Sequence, residues 1–291
     1  MLSKLKEFNY LEPSSLFEAI SLLDQYNGKA KIIAGGTDLI VKMKQRKLTP
    51  LYLINIKNIS DLSYIKYDGQ VLRIGALVTH SSVARSSVIQ ENFSPLGDAV
   101  CAVGTVQTRN LATVGGNLCN ASPSADTAPA LIALGAKLKV VSPEGEKTVK
   151  VEDFFTAPFR TILKTNEMLT EIQIPNLPPH SGGTYLWVPK MTAVDETLVG
   201  VAVSVAIDLT NQTFIKTGIG LGSVAPTPMR AEKTEEFLSG RKIEDNLLEQ
   251  AGKVAASEVS PRSREEYRRE MVKILVKRAL HQSLGRIKQV V

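Results

Sequence analysis

The sequence predicts an α+β protein made of three consecutive units, residues 1–58, 59–175 and 180–291. Three patterns predict it. A helical stripe and short apolar strands alternate within the first unit. A hairpin and two longer strands mark the second. Beyond a cluster of Pro175, Pro178, Pro179, Gly182 and Gly183, read as a linker, an alternating strand is followed by two helical stripes.

In the first unit, Pro13, Ser14 and Ser15 precede Leu16, Phe17, Ile20, Leu22 and Leu23, a helical spacing that Asn27-Gly28 ends. Lys31-Ile32-Ile33-Ala34 reads as a strand that turns at Gly35-Gly36-Thr37-Asp38. Leu39-Ile40-Val41 leads into a basic helix, and Tyr52-Leu53-Ile54 reads as a second strand. In the second unit Val71-Leu72-Arg73-Ile74 is a strand, and Thr79, Ser81 and Ser82 offer helix caps. Residues 104–129, rich in Gly, Asn, Thr and Ser, read as a polar loop whose length points to function. Residues 137–141 alternate, turn at Pro143-Glu144-Gly145 and return to Val151 as a hairpin. Residues 168–174 form a strand that Pro175 stops.

In the third unit Val199, Val201, Val203, Val205 and Ile207 alternate with small residues, which predicts a strand with one face in a core and a partner at 215–221. Gly218, Gly220 and Gly222 inside that partner mark a close approach. Helices are expected at 244–257 and 263–284, the second carrying Tyr267, Met271, Ile274, Leu275 and Leu280 at helical spacing.

Composition narrows the function classes. A chain of 291 residues with 43% hydrophobic and 22% charged residues can bury two or three cores and is not disordered overall. The net charge of +6 gathers near the C-terminus, in Arg262, Arg264, Arg268, Arg269, Lys273, Lys277 and Arg278. Glu265, Glu266 and Glu270 interleave with that run, so it reads as a solvated helix face. A nucleic-acid surface would add aromatic residues or a known module. Cys101 and Cys119 are too few for a disulfide framework or for a zinc or iron–sulfur centre of this chain's own, which takes about four ligands. His80, His180 and His281 have no metal-ligand spacing, and no triad of nucleophile, base and acid stands out. The start, Met1-Leu2-Ser3-Lys4-Leu5-Lys6, is not that of a signal peptide, and no apolar run reaches membrane-spanning length, so a cytoplasmic location is expected.

Two segments carry chemistry. In Ile32-Ile33-Ala34-Gly35-Gly36-Thr37-Asp38-Leu39, adjacent glycines after a strand let the backbone turn sharply and leave amide N–H groups uncovered. Such a concavity of amides binds anions, and Thr37 adds a hydroxyl. Thr113-Val114-Gly115-Gly116-Asn117 repeats the pattern and continues through Ala121-Ser122-Pro123-Ser124-Ala125-Asp126, whose carboxylate could hold a ribose hydroxyl. A single Gly-Gly is usually no more than a turn. Neither pair is the G-x-G-x-x-G of a dinucleotide-binding fold or a P-loop, so the residues alone stop at two phosphate-friendly bends.

The wording of the two segments together resembles the paired FAD-binding loops of the flavoprotein subunits of molybdenum hydroxylases, the xanthine dehydrogenase and carbon monoxide dehydrogenase type. Gln107-Thr108-Arg109-Asn110-Leu111-Ala112, Asp153-Phe154-Phe155, Val224-Ala225-Pro226-Thr227-Pro228-Met229-Arg230-Ala231 and Tyr267-Arg268-Arg269 extend the resemblance over nearly the whole chain. Thr37-Asp38 stands where carbon monoxide dehydrogenases tend to show His-Ser, so the xanthine dehydrogenase-type medium subunits look most similar.

The resemblance implies a two-part FAD-binding region of the vanillyl-alcohol-oxidase (PCMH) type, followed by a C-terminal domain of a small sheet with helices. It assigns Ile32, Ile33, Ala34, Gly35, Gly36, Thr37, Asp38 and Leu39, with Thr113, Val114, Gly115, Gly116 and Asn117, to the FAD diphosphate and nearby sugar. It adds Asp126 as an acidic FAD contact, Leu169 against the isoalloxazine ring, Gly104 near the cofactor, and Lys190 after Tyr185 as a residue reaching the flavin. Cys119 stands either near the ring or, more in keeping with its residue type, as a buried structural thiol. No residue is assigned as catalytic and none as a metal ligand. A large subunit would hold molybdopterin and a small one two [2Fe-2S] clusters, in a dimer of three-chain units. Electrons would reach the FAD here and pass to an acceptor such as NAD. Xanthine or a related purine is the implied substrate of the complex, with aldehydes, nicotinate and carbon monoxide as alternatives, and a stand-alone flavin oxidoreductase of the same superfold as the rival reading.

Overall fold

The computed structural model describes residues 4–191 and 196–287. Among the described residues three larger sheets follow one another along the chain, beside a two-stranded ribbon of Phe155–Ala157 and Arg160–Thr161. The first has three parallel strands in the order Asn9–Leu11, Tyr52–Asn55, Ala30–Ile33. Its crossover helix, Leu16–Gln25, starts where the sequence placed it. The Glu18 N–H donates to Ser15 Oγ at 3.2 Å, while the Glu18 carboxylate accepts from the Ser14 N–H at 2.8 Å, a reciprocal cap. Ala19, Ile20 and Leu23 bury its apolar face. The strand Asn9–Leu11 is too short to leave a periodicity and was not expected.

The second sheet is antiparallel, in the order Ile65–Tyr67, Val71–Gly75, Met168–Pro175, Lys137–Ser142, Gly145–Lys150. Ser142 pairs with Gly145, so the hairpin turns on Pro143-Glu144. Leu72, Ile74, Leu138, Val140, Ile172 and Ile174 face a core closed by helices from residues 80–133.

The expected loop at 104–129 is helical. Short helices Val106–Leu111, Val114–Asn120 and Thr127–Ala133 fill it. Gly, Asn and Thr are weak helix formers, so no stripe announced them. Thr105 and Thr113 start the first two by accepting the N–H of Thr108 and Gly116. Tertiary packing then holds turns that propensity would not.

The third sheet runs Ser181–Pro189, Thr197–Asp208, Thr213–Gly222, Met229–Arg230, antiparallel throughout. Helices Glu232–Leu238, Asp245–Glu258 and Glu265–Ile287 cover one face. Two expectations change here. Gly182 and Gly183 lie in a strand, not a linker: a Cβ on Gly182 would meet Ser283 O at 2.2 Å, and one on Gly183 would meet Pro95 Cγ at 2.6 Å. Thr197–Asp208 is buried on both faces. Its valines meet the C-terminal helices, and its small face, with Ala202, meets Ala99, Ala102, Ala130 and Ala133 of the preceding unit.

The glycines of Thr213–Gly222 allow the closest approach. A Cβ on Gly218 would stand 2.0 Å from Ala133 O and one on Gly220 2.0 Å from Pro129 O, so helix Thr127–Ala133 lies directly on the strand. Arg286 closes the same boundary. Its guanidinium donates to both carboxylate oxygens of Asp98, at 2.7 and 3.1 Å, and to Gly183 O at 2.7 Å.

Candidate functional site

A cavity of about 1030 Å³ opens at the carboxyl ends of the first, parallel sheet, where such sheets place ligands. Both diglycine bends line it. They touch through the backbone: a Cβ on Gly35 would fall 2.1 Å from Leu111 O, just before the second bend. Gly36 has φ 74°, a left-handed conformation that favours glycine. Among the described residues, the N–H groups of Gly35, Gly36 and Thr37 have no protein acceptor, so the first bend is an open cradle for an anion.

The second bend differs from expectation. The N–H of Val114 donates to Val78 O at 3.0 Å, that of Gly115 to Ala76 O at 3.2 Å and that of Asn117 to Thr113 O at 2.9 Å. The Gly116 N–H is spent on Thr113 Oγ1 at 3.0 Å. Uncovered amides therefore come from the first bend alone. The second contributes shape and side chains. Asn117 Oδ1 accepts from Thr127 Oγ1 at 2.6 Å, which leaves the amide NH2 of Asn117 as a donor.

Of the residues assigned from sequence, Ile32, Ala34, Gly35, Gly36, Thr37, Asp38, Leu39, Thr113, Gly115, Gly116, Asn117, Asp126 and Leu169 lie on the cavity wall. Four do not. Ile33 alternates away from the wall and packs with Met43 and Leu53. Val114 is fully buried in the core of the second sheet. Gly104, with φ 44°, bends the chain so that its neighbour Val103 reaches the wall instead. Lys190 is exposed, and its N–H donates to Glu196 O at 3.0 Å across a connection whose residues 192–195 lie outside the described ones. Cys119 is not a thiol packed in the core. Its side chain opens onto the cavity, and the depth of that concavity pushes its pKa up to about 12.

Several wall residues had no local signal. Phe159, at φ 61°, sits beneath the Lys42 ammonium, 5.1 Å from its ring centroid. Lys42 Nζ also donates to Asn120 Oδ1 at 2.5 Å, tying the helix after the first bend to the helix that the second bend opens. Lys31, Lys47, Arg160 and Lys164 add positive charge around the opening. The only hint was the basic character of the helix after Leu39. Burial raises the pKa of Asp38, partly offset by Lys42. Burial likewise raises that of Asp126, against two hydroxyl donors that lower it. An open amide cradle, a cationic rim and apolar wall residues such as Leu77, Met168 and Leu169 together suit a dinucleotide with a diphosphate and flat ring systems.

Residues 6–177 match the family described as the FAD binding domain in molybdopterin dehydrogenase, and residues 189–283 match the CO dehydrogenase flavoprotein C-terminal domain. The chain belongs to this family of FAD-binding dehydrogenase subunits. It is 32% identical to the glyceraldehyde dehydrogenase medium chain of Sulfolobus acidocaldarius, over 94% of this chain and 97% of that one. It is 29% identical to the xanthine dehydrogenase FAD-binding subunit of Escherichia coli O157:H7, over 95% and 96%. Among solved structures, a chain of carbon monoxide dehydrogenase from Hydrogenophaga pseudoflava, lacking the Mo-pyranopterin moiety of its cofactor, superposes with a TM-score of 0.93 at 31% identity, over 98% of this chain and 99% of that one. The protein is an FAD-dependent oxidoreductase chain with an FAD-binding domain followed by the family's C-terminal domain, as the resemblance of its two bends implied. Identities of 29–32% to chains serving an aldehyde, carbon monoxide and a purine separate none of these substrates.

Proposed function

We propose that this chain is the electron-transfer subunit of a molybdenum hydroxylase complex, taking electrons from [2Fe-2S] clusters of a small partner subunit and delivering them to NAD or another acceptor. The observation that carries the proposal is the single cavity lined by both bends, with unpaired amides at Gly35, Gly36 and Thr37. Bound FAD supplies the one- and two-electron chemistry. The protein's work is to bind and orient it. The first bend takes the diphosphate, Lys42 and its neighbouring cations balance the negative charge, and Leu169 packs against a ring face. With no nucleophile or general base required, a wall poor in histidine suffices.

Substrate oxidation belongs to a large molybdopterin-binding partner in this reading, with the assembly a dimer of heterotrimers in the cytoplasm. Exposed Val106 and Leu111, on a helix without buried residues beside the first bend, suit a docking partner better than solvent. Thr37-Asp38 favours a purine such as xanthine as substrate of the complex. An aldehyde, as for the glyceraldehyde dehydrogenase chain 32% identical to this one, is the second reading.

Purification from the native source tests this. One FAD in this chain, copurifying with one molybdenum-containing and one iron–sulfur subunit, is expected. A chain that purifies alone and turns over its own substrate would instead be a stand-alone flavoenzyme. Xanthine and glyceraldehyde offered to the purified complex decide between the two substrates.

A further inference from the structure

The exit of the second bend, residues 122–126, is held from the other domain. Asp126 Oδ1 accepts two hydroxyl bonds, from Tyr185 Oη at 2.7 Å and from Thr197 Oγ1 at 2.5 Å. Both donors belong to the C-terminal sheet, Tyr185 in Ser181–Pro189 and Thr197 at the start of Thr197–Asp208. Ser223 repeats the grip: its N–H donates to Pro123 O at 2.9 Å and its hydroxyl to Thr197 O at 2.7 Å.

The packing is built around the Tyr185 hydroxyl. The ring is buried and stacks on Trp187, with centroids 5.9 Å apart and planes 10° from parallel. On the neighbouring strand, a Cβ at Gly200 would stand 2.4 Å from the hydroxyl oxygen, so the strand omits a side chain where the phenol needs room. A buried phenol without an acceptor would be costly, and here its acceptor is a carboxylate on the cavity wall. Among the described residues no side chain other than those of Tyr185 and Thr197 donates to the Asp126 carboxylate, so this acceptor on the cavity wall keeps room for a ligand hydroxyl or N–H.

We infer that Tyr185 and Thr197 are positioning residues for the flavin: they fix the Asp126 carboxylate on the cavity wall and make tight FAD binding depend on the docked C-terminal domain. The inference rests on the reading of the cavity as the flavin site. The hydroxyls hold one oxygen still and leave the carboxylate able to accept from a donor on the cofactor, so their effect on the flavin passes through Asp126 and through no contact of their own.

The test titrates FAD into the flavin-stripped full chain, following flavin fluorescence, for wild type, Tyr185→Phe, Thr197→Val, Asp126→Ala and the Tyr185→Phe/Asp126→Ala pair. A melting curve of each flavin-free form reports folding. Each hydroxyl variant should bind FAD about tenfold more weakly, as expected for a lost bond to a charged group. Asp126→Ala should lose at least as much, and the pair should be no weaker than Asp126→Ala alone, because the hydroxyl acts only through the carboxylate. Wild-type affinity in Tyr185→Phe or in Asp126→Ala, or losses that multiply in the pair, overturns the inference. If Tyr185→Phe fails to fold, Thr197→Val paired with Asp126→Ala asks the same question of the same oxygen. Gly36→Val separates this from the underlying reading. If a folded Gly36→Val chain keeps its FAD, or wild type binds none, the cavity is not the flavin site and the inference falls with it. If Gly36→Val loses FAD while Tyr185→Phe and Thr197→Val do not, only the positioning role falls.

Discussion

The two diglycine bends are spelled alike and built differently. The first follows a parallel strand, turns through a left-handed Gly36 and leaves its amides without partners among the described residues. The second opens a short helix, and its amides are consumed by Ala76, Val78 and its own cap, Thr113. A pair of glycines can thus serve a ligand by exposing donors, or serve the fold by letting two backbones meet. Gly115 is of the second kind, since a Cβ there would lie 2.7 Å from Ala76. The chain has both kinds at one cavity, one that leaves donors free and one that brings the wall into place.

Variants in each bend should expose that division. Gly36→Val should have the largest effect. Space is not the obstacle, because the nearest side-chain atoms lie 3.4 Å from the added Cβ; the φ of 74° is. Titration should show FAD affinity falling by at least about a hundredfold, or about 3 kcal/mol. Near-normal affinity would mean that the first bend is not the cradle.

The second bend should instead reveal itself in stability. His80, whose N–H donates to Ala112 O beside that bend, is fully buried with neither ring nitrogen bonded. Burial, aided by the charge of Arg109, lowers its pKa from 6.5 to about 4. The unfolded chain therefore takes up this proton first as the pH falls. Stability is full above the unfolded pKa and declines as the pH drops from about 6.5 toward 4, by up to about 3 kcal/mol. Urea melts at pH 7 and pH 4 should show His80→Leu losing less than wild type across that interval. An equal loss in both would assign the acid sensitivity to other groups.

Thr113→Val removes the cap of helix Val114–Asn120 and should cost about 1 kcal/mol in a thermal melt, with FAD affinity changed less than about threefold. A hundredfold loss of affinity there would erase the distinction between the bends. Lys42→Gln should be mildest on the fold. It breaks the bond to Asn120 and the contact over Phe159, and about threefold weaker FAD binding without a change in melting temperature is expected.

Legibility followed the range of the forces. The helix start at Ser15, the turn after Ser142 and the C-terminal helices are local, and their residues announced them. The glycines at 218, 220 and 222 showed a close approach, but not that helix Thr127–Ala133 would fill it. The helices within 104–129 were invisible, because Gly, Asn and Thr hold a helix only when packing supplies what propensity lacks. Val103, Phe159 and Glu196 reach the wall from distant segments and carry no pattern of their own.

By itself the sequence determined which backbone could bend and which side chains could cap, alternate or bear charge, because those properties reside in single residues and their near neighbours. It also carried enough of the wording of both bends to place the chain in its family. Only the tertiary structure decided which amides stay free and which are spent, that Asp126 is gripped from a domain that begins dozens of residues later, and that Gly200 is bare to admit a phenol. Those outcomes depend on what stands opposite each group in space, and a burial or a hydrogen bond has no value until its partner has arrived.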